Sequence, residues 1–151
     1  MSPLDKHHPY ANIDPCKIPD VADKILNEFW DIAESLGIQA FLCFGTCLGF
    51  VRGEGWIIND NDIDVGILGG LEDLTAGLVK GSFIHRRSYG KNRHFLKGGI
   101  LLDVWFGFHC TKFLQSFERI SYKGREYDVP HPVEGYLEAR YRDWKTIKHR
   151  S

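Results

Sequence analysis

The stretch Asp62-Ile63-Asp64-Val65-Gly66-Ile67-Leu68 restricts the possible folds more than any other part of this chain. Its apolar residues alternate with polar or small ones, the period of a strand with two unlike faces. Asp62 and Asp64 stand two apart, so both carboxylates project from the same face. Held that close, they repel each other unless a positive charge lies between them. A divalent cation that prefers oxygen, Mg2+ or Mn2+, would remove the repulsion. A third carboxylate, Asp103, sits inside the apolar run Ile100-Leu101-Leu102-Asp103-Val104-Trp105-Phe106. An isolated ionised aspartate is expensive to bury there, which calls for a partner. If Asp103 joins the other two, Leu102 and Val104 point to the opposite, core-facing side. Replacing it by leucine is then expected to stabilise the metal-free protein by removing a repelled charge. Three carboxylates on neighbouring strands are the protein side of a two-metal phosphoryl-transfer site. The competing reading is an Asp-rich turn at 62–64 and an Asp103 that faces water.

The rest of the chain is able to support such a site. Its 151 residues, 43% hydrophobic and 13% aromatic, are enough for one cored domain over 1–151 and exclude a disordered chain. Nineteen basic against twenty acidic residues give a net charge of −1. That balance argues against an extended nucleic-acid or polybasic membrane surface, but permits a local site for one phosphorylated small molecule. No apolar run approaches the ~20 residues of a membrane span, and the first residues lack a signal-peptide pattern. The expectation is an intracellular, cytoplasmic protein. Cys16, Cys43, Cys47 and Cys110 fit neither a zinc pattern nor a disulfide framework, and Cys43 and Cys47 read as buried free thiols. The His7-His8 pair carries little weight as a metal site.

Periodicity predicts a helix over Asp20 to Leu36, with Pro19 in its first turn and Gly37 at its stop. Gln39 to Phe44 reads as a strand, Cys47 to Val51 as a short helix, and Arg52 to Asn61 as a polar loop around Trp56. A helix over Leu71 to Val79 follows Gly69-Gly70. Strands are expected over Ser82 to Tyr89, Arg93 to Lys97 and Ile100 to His109, separated by glycine turns. Phe113 to Tyr122 and Glu126 to Val129 form a hairpin, and Pro132 to Arg142 a final helix. Gly45-Thr46 lies between strand and helix, where backbone N–H groups can receive phosphate oxygens. Glycine lets the backbone approach an anion closely, and Thr46 adds a hydroxyl.

From Phe44 to Val65 the sequence resembles the LicD family, which includes the fukutin-related proteins and belongs to the nucleotidyltransferase superfamily with the polymerase-β-like fold. Gly45, Thr46, Leu48, Gly49, Arg52, Gly55, Asp60, Asp62 and Asp64 match that family's motif at its spacing. Asp103 within Leu-Leu-Asp-Val resembles the superfamily's third metal carboxylate, and Tyr136 to Thr146 resembles the family's C-terminal segment. Ile58-Asn59 stands where the family has Pro-Trp, and Asn61 where it has an acidic residue. The resemblance implies an α+β fold, a mixed sheet flanked by helices in a minimal nucleotidyltransferase form.

It also implies a metal-dependent phosphotransferase using Mg2+ or Mn2+. Such an enzyme moves a phospho-alcohol, such as phosphocholine or ribitol phosphate, from a nucleoside-diphosphate-linked donor to a glycan or other hydroxyl acceptor. Asp62, Asp64 and Asp103 would be catalytic and bind the metals, and Gly45 and Thr46 would hold the donor's phosphates. Arg52 would hold a donor phosphate or orient the Asp block through a charge pair. The rivals are a nucleotidyltransferase that places a whole nucleotide on a small molecule or nucleic acid, and a lapsed nucleotide-binding module. Arg86, Arg87, Lys91, Arg93 and Lys97 read as a solvated hairpin face or a diphosphate site. His94 reads as structural, and Trp56 and Tyr136 as packing residues that could instead stack on a base.

Overall fold

The computed structural model describes residues 15–57, 62–107 and 111–145. The metal pair considered at His7-His8, Cys110, and the motif position Asp60 with its neighbours Ile58, Asn59 and Asn61 lie outside these residues, as does Thr146.

Helix α1 (Ile18–Ser35) buries Ala22, Ile25, Leu26, Phe29, Trp30 and Ala33, one apolar stripe at helical spacing. It stops at Gly37, whose φ of +68° lets Gly37 and Ile38 donate back to the Glu34 and Ala33 carbonyls. Then follow β1 (Ala40–Leu42), α2 (Phe44–Val51), β2 (Asp62–Ile67), α3 (Leu71–Lys80), β3 (Ile84–Tyr89), β4 (Asn92–Lys97) and β5 (Ile100–Trp105). The chain continues through β6 (Phe117–Tyr122), β7 (Arg125–Pro130) and α4 (Val133–Tyr141). Helix α2 starts earlier than its sequence suggests, while β5 ends at Trp105 and β6 begins only at Phe117. Phe113, expected to open that last strand, instead ends a 3-10 turn, Thr111–Phe113.

The main sheet has the order β1-β2-β5-β4-β3 and is mixed: β2 and β5 run parallel, and the other pairs are antiparallel. Helices α1 and α3 pack together and against one face of this sheet. Ile63, Val65, Ile67, Phe95, Ile100, Leu102 and Val104 form its buried layer. Lys97 bonds to Glu28 of α1, and Arg93 to Glu72 and Thr75 of α3, on that side. Strands β6 and β7 form a separate two-stranded sheet, joined at Lys123-Gly124 with both residues at positive φ. This hairpin packs beside β1, where Phe41 meets Phe117 at 5.2 Å between ring centroids. The alternation that buries Ile63 and Leu102 sends Asp62, Asp64 and Asp103 to the opposite face. The three candidate site carboxylates therefore share the face that the α1–α3 layer leaves uncovered.

Candidate active site

Asp64 pairs with Asp103 across the parallel β2–β5 ladder, and Asp62 lies two residues back on the same side of β2. Leu102 and Val104 point into the core, as the sequence requires if Asp103 faces the other way. Asp64 is held by its backbone as well: its carbonyl accepts from Cys43 N–H at 3.2 Å, and its N–H donates to Thr46 Oγ1 at 2.9 Å. The turn from β1 into α2 thus grips the residue that presents the central carboxylate. Trp105 adds a contact from β5, with Nε1 donating to Asp64 Oδ1 at 3.3 Å.

Asp103 is 8% exposed and has the partner that its burial demands. His94 faces it across the β4–β5 ladder, with Nε2 2.6 Å from Asp103 Oδ1. Asn92 Nδ2 donates to the same oxygen at 3.3 Å. The sequence reading takes His94 as structural; the structure sets it directly on the third carboxylate. Its signal is available in the glycines. A two-residue turn at Gly98-Gly99, both at positive φ, pairs Lys97 with Ile100 and so brings His94 opposite Asp103.

All three carboxylates offer the hard oxygen donors that a small divalent cation takes. Both described contacts to Asp103 fall on Oδ1, so its Oδ2 remains available to another ligand. Among the described residues, no three His, Cys, Asp or Glu side chains converge as a metal-binding group in this conformation. The donor chemistry fits such an ion, and the side-chain rotamers would have to gather around it.

Thr46 is buried, 3% exposed, and its oxygen is engaged with Asp64 N–H. Its expected contact with a phosphate therefore falls to its backbone amide or its hydroxyl hydrogen. Gly45 is half-buried in the first turn of α2. The first N–H groups of a helix lack partners inside it, and Cys43 provides no side-chain cap. Tyr136 takes one of them, with Phe44 N–H donating to its hydroxyl at 2.9 Å. Arg52 Nε pairs with Glu54 at 2.6 Å, and its Nη1 donates to the Trp144 carbonyl at 3.4 Å. The guanidinium expected to hold a phosphate or orient the Asp block thus bridges its own loop and the segment after α4.

Trp56 does not form a stacking platform: its ring packs edge-on against Phe50, and its Nε1 donates to Asp23 Oδ1 at 2.7 Å. Asp23 also receives Tyr122 Oη at 2.9 Å and Lys123 Nζ at 2.6 Å, tying α1, the loop and the hairpin together. Nothing in the sequence around Asp23 signals that role, because its three donors come from distant segments. The basic residues of 86–97 do not act as one cluster. Arg93 and Lys97 bond to the α1–α3 layer, whereas Arg86 and Arg87 are exposed on β3. Burial raises the Cys43 thiol well above its ordinary value, with Asp64 adding to the effect. Cys43 and Cys47 are free and fully buried, as their apolar surroundings predict.

Among the described residues, no helix is long and apolar enough to cross a membrane. Residues 37–98 match the LicD/FKTN/FKRP nucleotidyltransferase domain. A comparison with curated proteins gave no match. Among solved structures, the lincosamide antibiotic adenylyltransferase LnuA with lincomycin bound superposes with a TM-score of 0.62 at 14% identity, covering 83% of this chain and 89% of that one. The antibiotic-resistance factor ANT(2″)-Ia gives a TM-score of 0.61 at 12% identity, over 86% of this chain and 78% of the other. The same factor in complex with adenylyl-2″-tobramycin gives 0.60 at 14% identity, over 79% and 74%. At such identities the likeness is one of fold. The match to the LicD/FKTN/FKRP nucleotidyltransferase domain spans residues 37–98, and the fold of the chain is that of a nucleotidyltransferase.

Proposed function

We propose that the chain is a metal-dependent phosphotransferase that moves a phospho-alcohol, such as phosphocholine or ribitol phosphate, from a nucleoside-diphosphate-linked donor to a hydroxyl acceptor. The observation that carries this reading is the parallel register of Asp64 and Asp103, with Asp62 two residues away on the same strand face. In this reading Asp62, Asp64 and Asp103 hold Mg2+ or Mn2+, and the amides of Gly45 and Thr46 receive donor phosphate oxygens. When bound, the cations would neutralise charge on the attacked phosphorus and the leaving group. Asp103 completes the carboxylate set and takes the proton of the attacking hydroxyl. Thr46 and Cys43 keep Asp64 in position through its backbone, and Arg52 fastens the loop that precedes the Asp block. The acceptor is a small molecule or a glycan end, with no extended nucleic acid.

A second reading, transfer of a whole nucleotide, draws support from the adenylyltransferase among the structural neighbours. One experiment separates the two. The full chain is incubated with Mg2+, a hydroxyl acceptor panel, and either CDP-linked alcohols or nucleoside triphosphates. Release of CMP supports phospho-alcohol transfer, and release of pyrophosphate supports the second reading. Binding without either product would overturn both and leave a nucleotide-binding module.

A further inference from the structure

Phe44 is the one residue of the β1–α2 turn whose backbone is visibly strained. Its φ is +45°, a region that a residue with a bulky side chain enters only when its surroundings compel it. Two residues of α4 contact it there. Tyr136 accepts the Phe44 N–H at 2.9 Å, and Arg140, one helical turn later, lays its guanidinium 4.4 Å from the centre of the Phe44 ring. That ring also meets Trp105 at 4.4 Å between centroids, and Trp105 donates to Asp64. A short series of contacts therefore runs from Arg140 through Phe44 and Trp105 to the central carboxylate.

The two arginines of this region are in opposite conditions. Arg52 lies within the family motif, but its guanidinium is engaged by Glu54 and the Trp144 carbonyl. Arg140 is exposed, and among the described residues nothing accepts a hydrogen bond from it. A guanidinium stacked on an aromatic ring is fixed in orientation while its N–H edges stay open, the geometry that suits a bidentate oxyanion. The Phe44 ring that carries it opens the helix whose second and third residues are Gly45 and Thr46. Arg140 and two of the carboxylates, Asp64 and Asp103, all act electrostatically on the same buried thiol, Cys43. The buried Cys43 thiol is raised by burial, then by Asp64, Cys47 and Asp103, and is lowered by Arg140.

We propose that Arg140, and not Arg52, is the cationic side chain that receives the phosphates of the nucleotide donor. This rests on the reading of the site as a nucleotide donor site, and its test keeps the two apart. CDP, UDP, ADP and GDP are each titrated into the full chain in Mg2+, with binding followed by calorimetry. Arg140→Gln is expected to weaken the tightest of the four at least tenfold, and Arg140→Lys to fall between it and the unmodified protein. Arg142→Gln, which removes an exposed cation two residues away, should stay within twofold. Melting curves check that each variant is folded. Binding by Arg140→Gln within twofold of the unmodified protein would overturn the assignment while leaving the donor site standing. An equal loss in Arg142→Gln would also overturn it, since any nearby positive charge would then serve. If the unmodified protein binds none of the four, the donor-site reading itself fails, and the role of Arg140 fails with it.

Discussion

The Asp103 carboxylate has hydrogen-bonded surroundings of its own on β4, and these reverse one expectation drawn from its charge. Repulsion from Asp62 and Asp64 alone predicts that Asp103→Leu stabilises the metal-free protein. With His94 and Asn92 both directed at Oδ1, the substitution instead leaves two polar groups without their acceptor. We expect it to cost about 1–3 kcal/mol, measured by urea unfolding in EDTA. A gain in stability would mean that repulsion outweighs the lost bonds. His94 also orients the carboxylate for any metal it holds. Loss of such an outer partner lowers metal affinity by roughly 10–100-fold. His94→Ala should therefore shift the Mn2+ titration by that order, with His94→Gln recovering part of it; identical titrations would reduce His94 to a packing residue. Asp103 is legible in the sequence as an apolar strand broken by one charge. Its partners are not, because they become visible only once the Gly98-Gly99 hairpin fixes the register of β4.

Among the elements, α2 is the one whose sequence is most tightly dictated. A Cβ on Gly49 would lie 2.1 Å from the Gly55 carbonyl oxygen, a backbone atom that cannot step aside. Gly49 O in turn accepts from the N–H groups of Glu54 and Gly55, so helix and loop are pressed together at this point. Gly49→Ala should destabilise the protein by about 1–3 kcal/mol or more, and a urea midpoint equal to that of the unmodified protein would contradict the close approach. At the other end of the helix, Thr46→Ala removes the acceptor of the Asp64 N–H. It should lower stability by about 1–3 kcal/mol, and Thr46→Ser should restore it. If Thr46→Ala loses donor affinity at unchanged stability, the hydroxyl serves the ligand and not the strand. Helices and strands were readable wherever one period persisted, as in α1 and β2. The early start of α2 was not, since Phe44 adopts a backbone conformation that no propensity favours, where it is contacted by Tyr136 and Arg140 of α4 from far along the chain. The parallel pairing of β2 with β5 and the separation of the β6–β7 sheet are likewise products of distant contacts.

Across the whole molecule, buried acidic hydrogens gather where β1, α2 and α4 meet. Burial raises Cys43, Cys47 and Tyr136 well above their ordinary values, and it pushes Tyr141 up to about 12, with the Asp64 charge adding to it. Each of these groups is neutral when protonated, so the folded chain keeps its proton to a higher pH than the unfolded chain does. Their contribution to stability is complete below the unfolded values, 9.0 for the thiols and 10.0 for the phenols. It is lost as pH rises from there toward the folded ones. Between those limits each group steepens the decline by about 1.4 kcal/mol per pH unit. The urea midpoint is therefore expected to hold steady from neutral pH to the ordinary thiol value and then fall sharply, with the tyrosines joining one unit later. The two thiols are fully buried and small, so a double variant with alanine at Cys43 and Cys47 tests their share without adding bulk to the core. It should start from lower stability at neutral pH but decline less steeply just above the thiol range. An unchanged slope there would place the alkaline weakness in the tyrosines, and a decline that begins well below the thiol range would locate it outside this junction altogether.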